Sequence, residues 1–198
     1  MLAVDTVERP KAVIFTYTVS QAGPTTIEQR HVIYRSGSEV RDETLAVDGI
    51  ALIRKVVRFS HREDRYAIER LAPRTTTYEL LFIRTVKDGR HVDYLYDAAP
   101  LVRTGDAAID RVTIDGTRFL PRSVHFTTEG PDAKGDARVV YAAFGKYWMP
   151  VSADVDAVVK GKPARERITW SDYRFPQSLP ASTFLAPKPL PGATVTPL

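Results

Sequence analysis

The chain has 198 residues, 43% of them hydrophobic and 26% charged, with 28 Lys and Arg against 24 Asp and Glu and no cysteine. This length supports one sizeable core, so residues 1–198 are read as a single domain. The lack of cysteine excludes disulfides, thiolate catalysis, thiolate zinc sites and Cys-ligated iron–sulfur clusters. The formal net charge of +4 is spread among interleaved acids, as Glu63 and Asp64 within 58–65 illustrate, leaving no basic stripe of the kind that binds nucleic acid.

Residues 4–11 allow a short helix that Pro10 would end. In the first clear run, Val13, Phe15, Tyr17 and Val19 alternate with Thr16, Thr18 and Ser20, which predicts a strand with one buried and one wet face. Eleven further runs rich in Val, Ile, Thr, Tyr and Phe predict strands over 28–35, 38–46, 50–59, 64–71, 76–86, 90–97, 109–115, 117–128, 136–144, 147–159 and 164–175. Asp48-Gly49, Asp88-Gly89 and Asp115-Gly116 predict tight hairpins between them, because such turns need positive φ. A helix over 75–84 is disfavoured by the β-branched start Thr75-Thr76-Thr77, and 98–109, with Pro100 and Gly105, is read as a loop or helical turn. The proline-rich tail 176–198 is expected to run extended over the surface.

The fold class is therefore mainly β: a curved antiparallel sheet of about 11–12 strands forming an incomplete barrel, with few short helices in or over its concave face. The alternative is a closed sandwich core without a cavity. The longest apolar runs, 80–83 and 139–144, are far short of a membrane-spanning helix. The N-terminus lacks the basic and apolar regions of a signal peptide, so export is not read from the chain itself.

Candidate chemistry is sparse. His91 and Asp93 are two apart on a strand, so they share a face and have the geometry for a metal or for a base and its orienter, but no third ligand is adjacent in sequence. The charged run 61–65 is read as a solvated hairpin tip. No GxSxG, SxxK, GxxxxGK[ST] or GxGxxG motif occurs, which leaves enzymatic function without support and no cofactor implied. Aromatic residues fall on nearly every strand, and in a sheet that curls without filling itself they would line an apolar cavity.

Three segments carry a family resemblance: Ile114-Asp115-Gly116-Thr117-Arg118-Phe119-Leu120-Pro121, then Phe144-Gly145-Lys146-Tyr147-Trp148-Met149-Pro150-Val151, then Ile168-Thr169-Trp170-Ser171-Asp172-Tyr173-Arg174-Phe175 ending in Leu179-Pro180-Ala181-Ser182-Thr183-Phe184. Their order resembles the outer-membrane lipoprotein-sorting, LolA/LolB-like superfamily of periplasmic carriers. The resemblance implies an incomplete barrel capped by helices, a location in the periplasm or cell envelope after removal of a signal peptide, and binding of lipid or lipoprotein acyl chains by burial alone. The family's capping helices have candidates here only in the N-terminal segment, 75–84 and 98–109. The expected function is a non-enzymatic, monomeric binding protein for a hydrophobic ligand, with a membrane or protein as further partner. Phe15, Tyr17, Val19, Leu81, Ile83, Tyr141 and Trp170 are the expected cavity lining. The alternatives are a protein-interaction or sensor domain using the same sheet or an edge strand, and an enzyme built around His91 and Asp93.

Overall fold

The structure, a computed structural model, describes residues 3–186 apart from 23–25, 90, 103, 104, 106 and 132. The outer part of the proline-rich tail, 187–198, lies outside the described residues. The strands are β1 (Ala12–Ala22), β2 (Ile27–Ser36), β3 (Glu39–Val47), β4 (Ile50–His61), β5 (Tyr78–Asp88), β6 (His91–Pro100), β7 (Ala107–Asp115), β8 (Pro121–Glu129), β9 (Ala133–Phe144), β10 (Tyr147–Val159) and β11 (Lys162–Arg174). They form one antiparallel sheet in the order β4-β3-β2-β1-β11-β10-β9-β8-β7-β6-β5, open at both ends.

Two expectations are corrected here. Residues 64–71 form no strand: a turn leads into helix α1 (Ile68–Leu71), so the charged run 61–65 leaves the end of β4 and enters a crossover rather than capping a hairpin. Tyr66, Ile68 and Leu71 supply an apolar spacing that suits either form, and the chain's path decides between them. The Asp115-Gly116 turn is not tight. β7 and β8 are joined by residues 116–120, and the Asp115 carboxylate accepts the backbone N–H groups of Thr117 at 3.0 Å and Arg118 at 2.7 Å. By contrast, Asp48-Gly49 does form the expected reversal, with φ of 50° and 77°. The helical expectation for 4–11 reduces to a 3-10 turn at Ala3–Thr6.

The crossover determines the shape of the sheet. β4 and β5 lie at opposite edges, ten strand spacings apart, which a flat sheet would spread over about 48 Å. The connection between His61 and Tyr78 contains α1 and turns that tighten its path, so it reaches well short of its extended limit of about 3.3–3.6 Å per residue. The sheet must curl to bring its edges within reach. α1 packs against β10 and the N-terminal 3-10 turn on the inner face.

Register places alternate residues of each strand on that inner face. Tyr17 pairs with Trp170 and His31, Val19 with Ile168, and Ala153 with Val139, which in turn pairs with Val124. These residues and their neighbours form the buried core around Ile68. On the outer face of β3, Glu43 is buried between Arg41 and Lys55, and Arg41 also donates to the Thr183 carbonyl at 3.4 Å, tying down the 3-10 turn Ala181–Phe184.

Candidate functional site

The inner face divides into three parts. Its centre is filled by the crossover: Tyr66 meets Trp170 edge-on at 4.8 Å between ring centroids, and the Tyr141 hydroxyl donates to the Tyr66 carbonyl at 3.1 Å. Tyr141 is 1% exposed. Burial, then the charges of Asp64 and Glu69, pushes its phenol well above the usual range, so it stays a neutral donor.

On one side of this plug, β1 to β3 carry a polar network. Tyr17 stacks on His31 at 4.6 Å, His31 Nδ1 donates to Asp42 at 2.8 Å, and the Tyr17 hydroxyl lies 3.4 Å from the second Asp42 oxygen. Burial and the nearby Asp42 carboxylate raise the Tyr17 phenol, against the opposing charges of Arg62 and Arg65. The outer ring nitrogen of His31 lies 3.3 Å from the Gln29 amide, so this dyad presents no free base to a substrate.

On the other side, β5 to β7 leave the face uncovered. A groove of about 530 Å³ is lined by Leu80, Phe82, Tyr94, Tyr96, Ile114 and Phe119, with Thr75 from the crossover at its rim. Phe82 is 52% exposed and meets Tyr96 edge-on at 5.6 Å. Phe119 is 50% exposed and holds φ of 55°, a left-handed conformation that bulky side chains rarely adopt. Its loop is anchored at both ends. The N–H of Phe119 donates to the Asp115 carbonyl at 2.9 Å, and Arg118 reaches the Gly145 carbonyl at 3.1 Å while lying over Trp148. The protein thus spends backbone strain to point an aromatic ring into solvent beside the groove.

The seven expected lining residues are not brought to one cavity. Phe15, Tyr17, Val19, Tyr141 and Trp170 share the inner face, where the crossover covers Trp170 and Tyr141. Leu81 is 67% exposed and lies on the outer face, since its partner Asp97 sits between the inward-facing residues Tyr96 and Ala98. Ile83 falls at a bulge between the paired residues Phe82 and Arg84 and is exposed. The groove residues Leu80, Phe82, Tyr94, Tyr96 and Phe119 lie outside those seven, although Phe82, Tyr94 and Tyr96 are among the strand aromatics. Leu80 to Ile83 are all apolar, so alternation gave no phase for β5.

His91 and Asp93 do acquire a third partner, Asp115, across the β6–β7 pair, with one ligand atom of each within 4.8 Å of the others. The space between them is taken by Arg122, whose guanidinium pairs with Asp93 at 3.0 Å and Asp115 at 2.8 Å and also contacts His91. A metal ion would have to displace that cation from both of its carboxylate partners. The cluster acts as a tie between β6, β7 and β8 on the outer face. Burial would raise the Asp115 carboxyl, but the N–H groups of Arg118 and Thr117, the Arg122 guanidinium and His91 together hold it below the usual range.

No family model and no curated protein matches the chain. Among solved structures, a DUF1329 family protein from Desulfovibrio piger is 10% identical over 92% of this chain and 92% of that one, with a TM-score of 0.50, which establishes a shared fold. A LolA superfamily protein from Nitrosomonas europaea is 12% identical over 92% and 94% of the two chains, with a TM-score of 0.48. A Vibrio parahaemolyticus domain described as an outer membrane lipoprotein-sorting protein is 13% identical over 91% and 92%, also at 0.48.

Proposed function

We propose that the chain is a non-enzymatic binding protein of the cell envelope that holds a hydrophobic ligand, such as an acyl chain of a lipid or lipoprotein, in the groove over β5 to β7. The observation that carries this reading is the groove itself: about 530 Å³ of open space beside exposed Phe82 and Phe119, with an almost wholly apolar and aromatic lining, whereas the space of about 510 Å³ beside α1 is rimmed by charged Glu8, Arg9, Arg35, Glu63 and Asp64. That volume lies within the range of small-molecule sites. The driving force would be burial of apolar surface, about 0.8 kcal/mol per CH₂, so about ten methylenes supply about 8 kcal/mol before ordering costs. The tyrosines Tyr94 and Tyr96 add a polar edge to the apolar floor, which suits a ligand with one wet end.

The test is native mass spectrometry of protein purified from cells, combined with titration of a fluorescent fatty-acid probe. The expected result is a co-purifying lipid and a saturable probe signal that Phe82→Asp weakens about tenfold or more, since a carboxylate in the groove must be desolvated. Phe82 is half exposed, so the fold should tolerate the change. Absence of both lipid and probe binding overturns the reading.

A further inference from the structure

An open sheet of this kind has two free edges, and they differ in chemistry. β5 borders the apolar groove. β4 carries Arg54, Lys55, Arg58 and His61 and no acidic residue anywhere between Ile50 and His61. Elsewhere on the sheet, cations sit beside acids: Arg165 with Asp156, Arg167 with Asp154, Arg111 with Asp97. On β4, Lys55 is held by Glu43 at 3.0 Å and His61 by Glu39 at 3.1 Å, but Arg54 and Arg58 make no side-chain ion pair among the described residues.

The edge is also apolar. Ile50, Ile53 and Val56 are 72%, 103% and 48% exposed. The pairing explains the extreme value: Ala46 opposes Ala51 and Thr44 opposes Val56, so residues 52–55 face only Leu45 and arch away from the sheet. Beyond the arch, residues 56–61 pair one-to-one with β3 on one side and, among the described residues, with no strand on the other. Three exposed aliphatic side chains on an edge strand are an aggregation hazard unless something governs what pairs there.

The charges do govern it. Two copies pairing through β4 about a two-fold axis at Val56 would set Arg54 of each against Arg58 of the other, twice. In any register a second β4 brings cations and no acid to this edge, which disfavours it, whereas an acidic strand is attracted by the same side chains. A membrane surface would engage the cations but complete no ladder with the backbone N–H and C=O groups of residues 56–61, which would stay hydrated. We infer that the free edge of β4 docks an extended acidic segment of a partner polypeptide. The segment adds beside residues 56–61, with carboxylates on the face of Arg58 and within the field of Arg54, and aliphatic side chains on the opposite face beside Val57 and Phe59. This does not depend on the ligand in the groove.

The experiment uses the full chain and labelled, end-blocked peptides: one alternating Val and Glu, one alternating Val and Lys, and a Val/Glu peptide with N-methylated backbone. The expected result is binding of the Val/Glu peptide alone, weakening about tenfold between about 50 mM and about 300 mM salt as exposed charges are screened. Arg54→Glu with Arg58→Glu should weaken it at least about tenfold more. Backbone amides of 56–61 should gain exchange protection in the complex. Equal binding of the Val/Lys peptide overturns the proposal, as does equal binding of the N-methylated peptide, which cannot complete a ladder. Capture of the protein by anionic phosphatidylglycerol vesicles, with no peptide bound, assigns the edge to a membrane surface instead. The peptide comparison on the unmodified chain decides the matter even if the double variant folds poorly.

Discussion

At the residue scale, Phe119 and Asp115 show how one loop serves both stability and the groove. A left-handed conformation costs an L-residue about 1–2 kcal/mol, and glycine is free of that cost. Phe119→Gly is therefore expected to leave stability unchanged or raise it by up to about 1 kcal/mol, while weakening binding of a fatty-acid probe; urea denaturation and probe titration on the same sample separate the two effects. If probe affinity is unchanged, Phe119 is only a strained turn residue. Asp115 has a depressed carboxyl pKa in the fold, so its contribution is fully present above the unfolded value of about 3.9 and is lost as pH falls through the lower folded value. Asp115→Asn should cost about 1–3 kcal/mol at pH 7 and less at an acid pH below the lowered folded pKa, where the wild-type group is also protonated. Equal costs at both pH values would mean that shape, not charge, holds the Arg122 tie. The sequence marks Asp115 as a turn residue through its neighbour Gly116. It does not mark the residue as a hub for Arg122 and His91, because those partners meet only when β6, β7 and β8 align.

At the element scale, strand positions were legible wherever alternation and turn chemistry agreed, and illegible where a segment had to travel. Eleven of the twelve expected strands exist, because β-branched and aromatic runs flanked by glycine or aspartate turns carry their own length. The twelfth, 64–71, fails because its fate is fixed by the need to cross from β4 to β5, a fact about topology that no local window contains. The bulges are equally hidden. Shifts at Phe82/Arg84, Ile109/Arg111, Pro150/Ser152 and Thr44/Ala46 each change which residues face inward, and on β5 the bulge at Ile83 adds to an all-apolar run that carries no phase of its own. One close approach is sharp enough to test: a Cβ on Gly135 would lie 2.4 Å from both the Ala157 Cα and the Asp156 carbonyl oxygen across the β9–β10 ladder. Gly135→Ala is expected to lower stability by about 1–3 kcal/mol, since backbone must move to admit it. Chemical denaturation with an unchanged m-value would place that loss in the folded state.

At the scale of the whole molecule, the strand order describes two meanders, β1 to β4 and β5 to β11, each built from sequential hairpins and joined through the β1–β11 pair and the crossover. The alternation of Val13, Phe15, Tyr17 and Val19 disclosed that β1 has a buried face. That β1 and β11 join the two meanders is a pairing between distant parts of the chain, and its entropy cost is met by the shared core of Tyr17, Trp170, Val19 and Ile168 around Tyr66. The seam should therefore be the most stable part and the two edges the least. β4 pairs with no strand on its outer side among the described residues and is exposed along most of its length, whereas β1 and β11 are bonded on both sides. Native-state hydrogen exchange is expected to show β1 and β11 amides opening only with global unfolding, and those of β4 and β5 opening at lower free energy. Thr18→Pro, which removes a ladder donor from a central strand and disrupts its pairing, should cost about 3 kcal/mol or more and bring the protection of both meanders down together. If β4 amides exchange as slowly as those of β1, or if Thr18→Pro unlocks one meander and leaves the other protected, the seam does not hold the two halves as one cooperative unit. Edges that open at low cost while the centre stays shut are the condition under which a groove beside β5 and a free strand at β4 can each accept a partner without loosening the core.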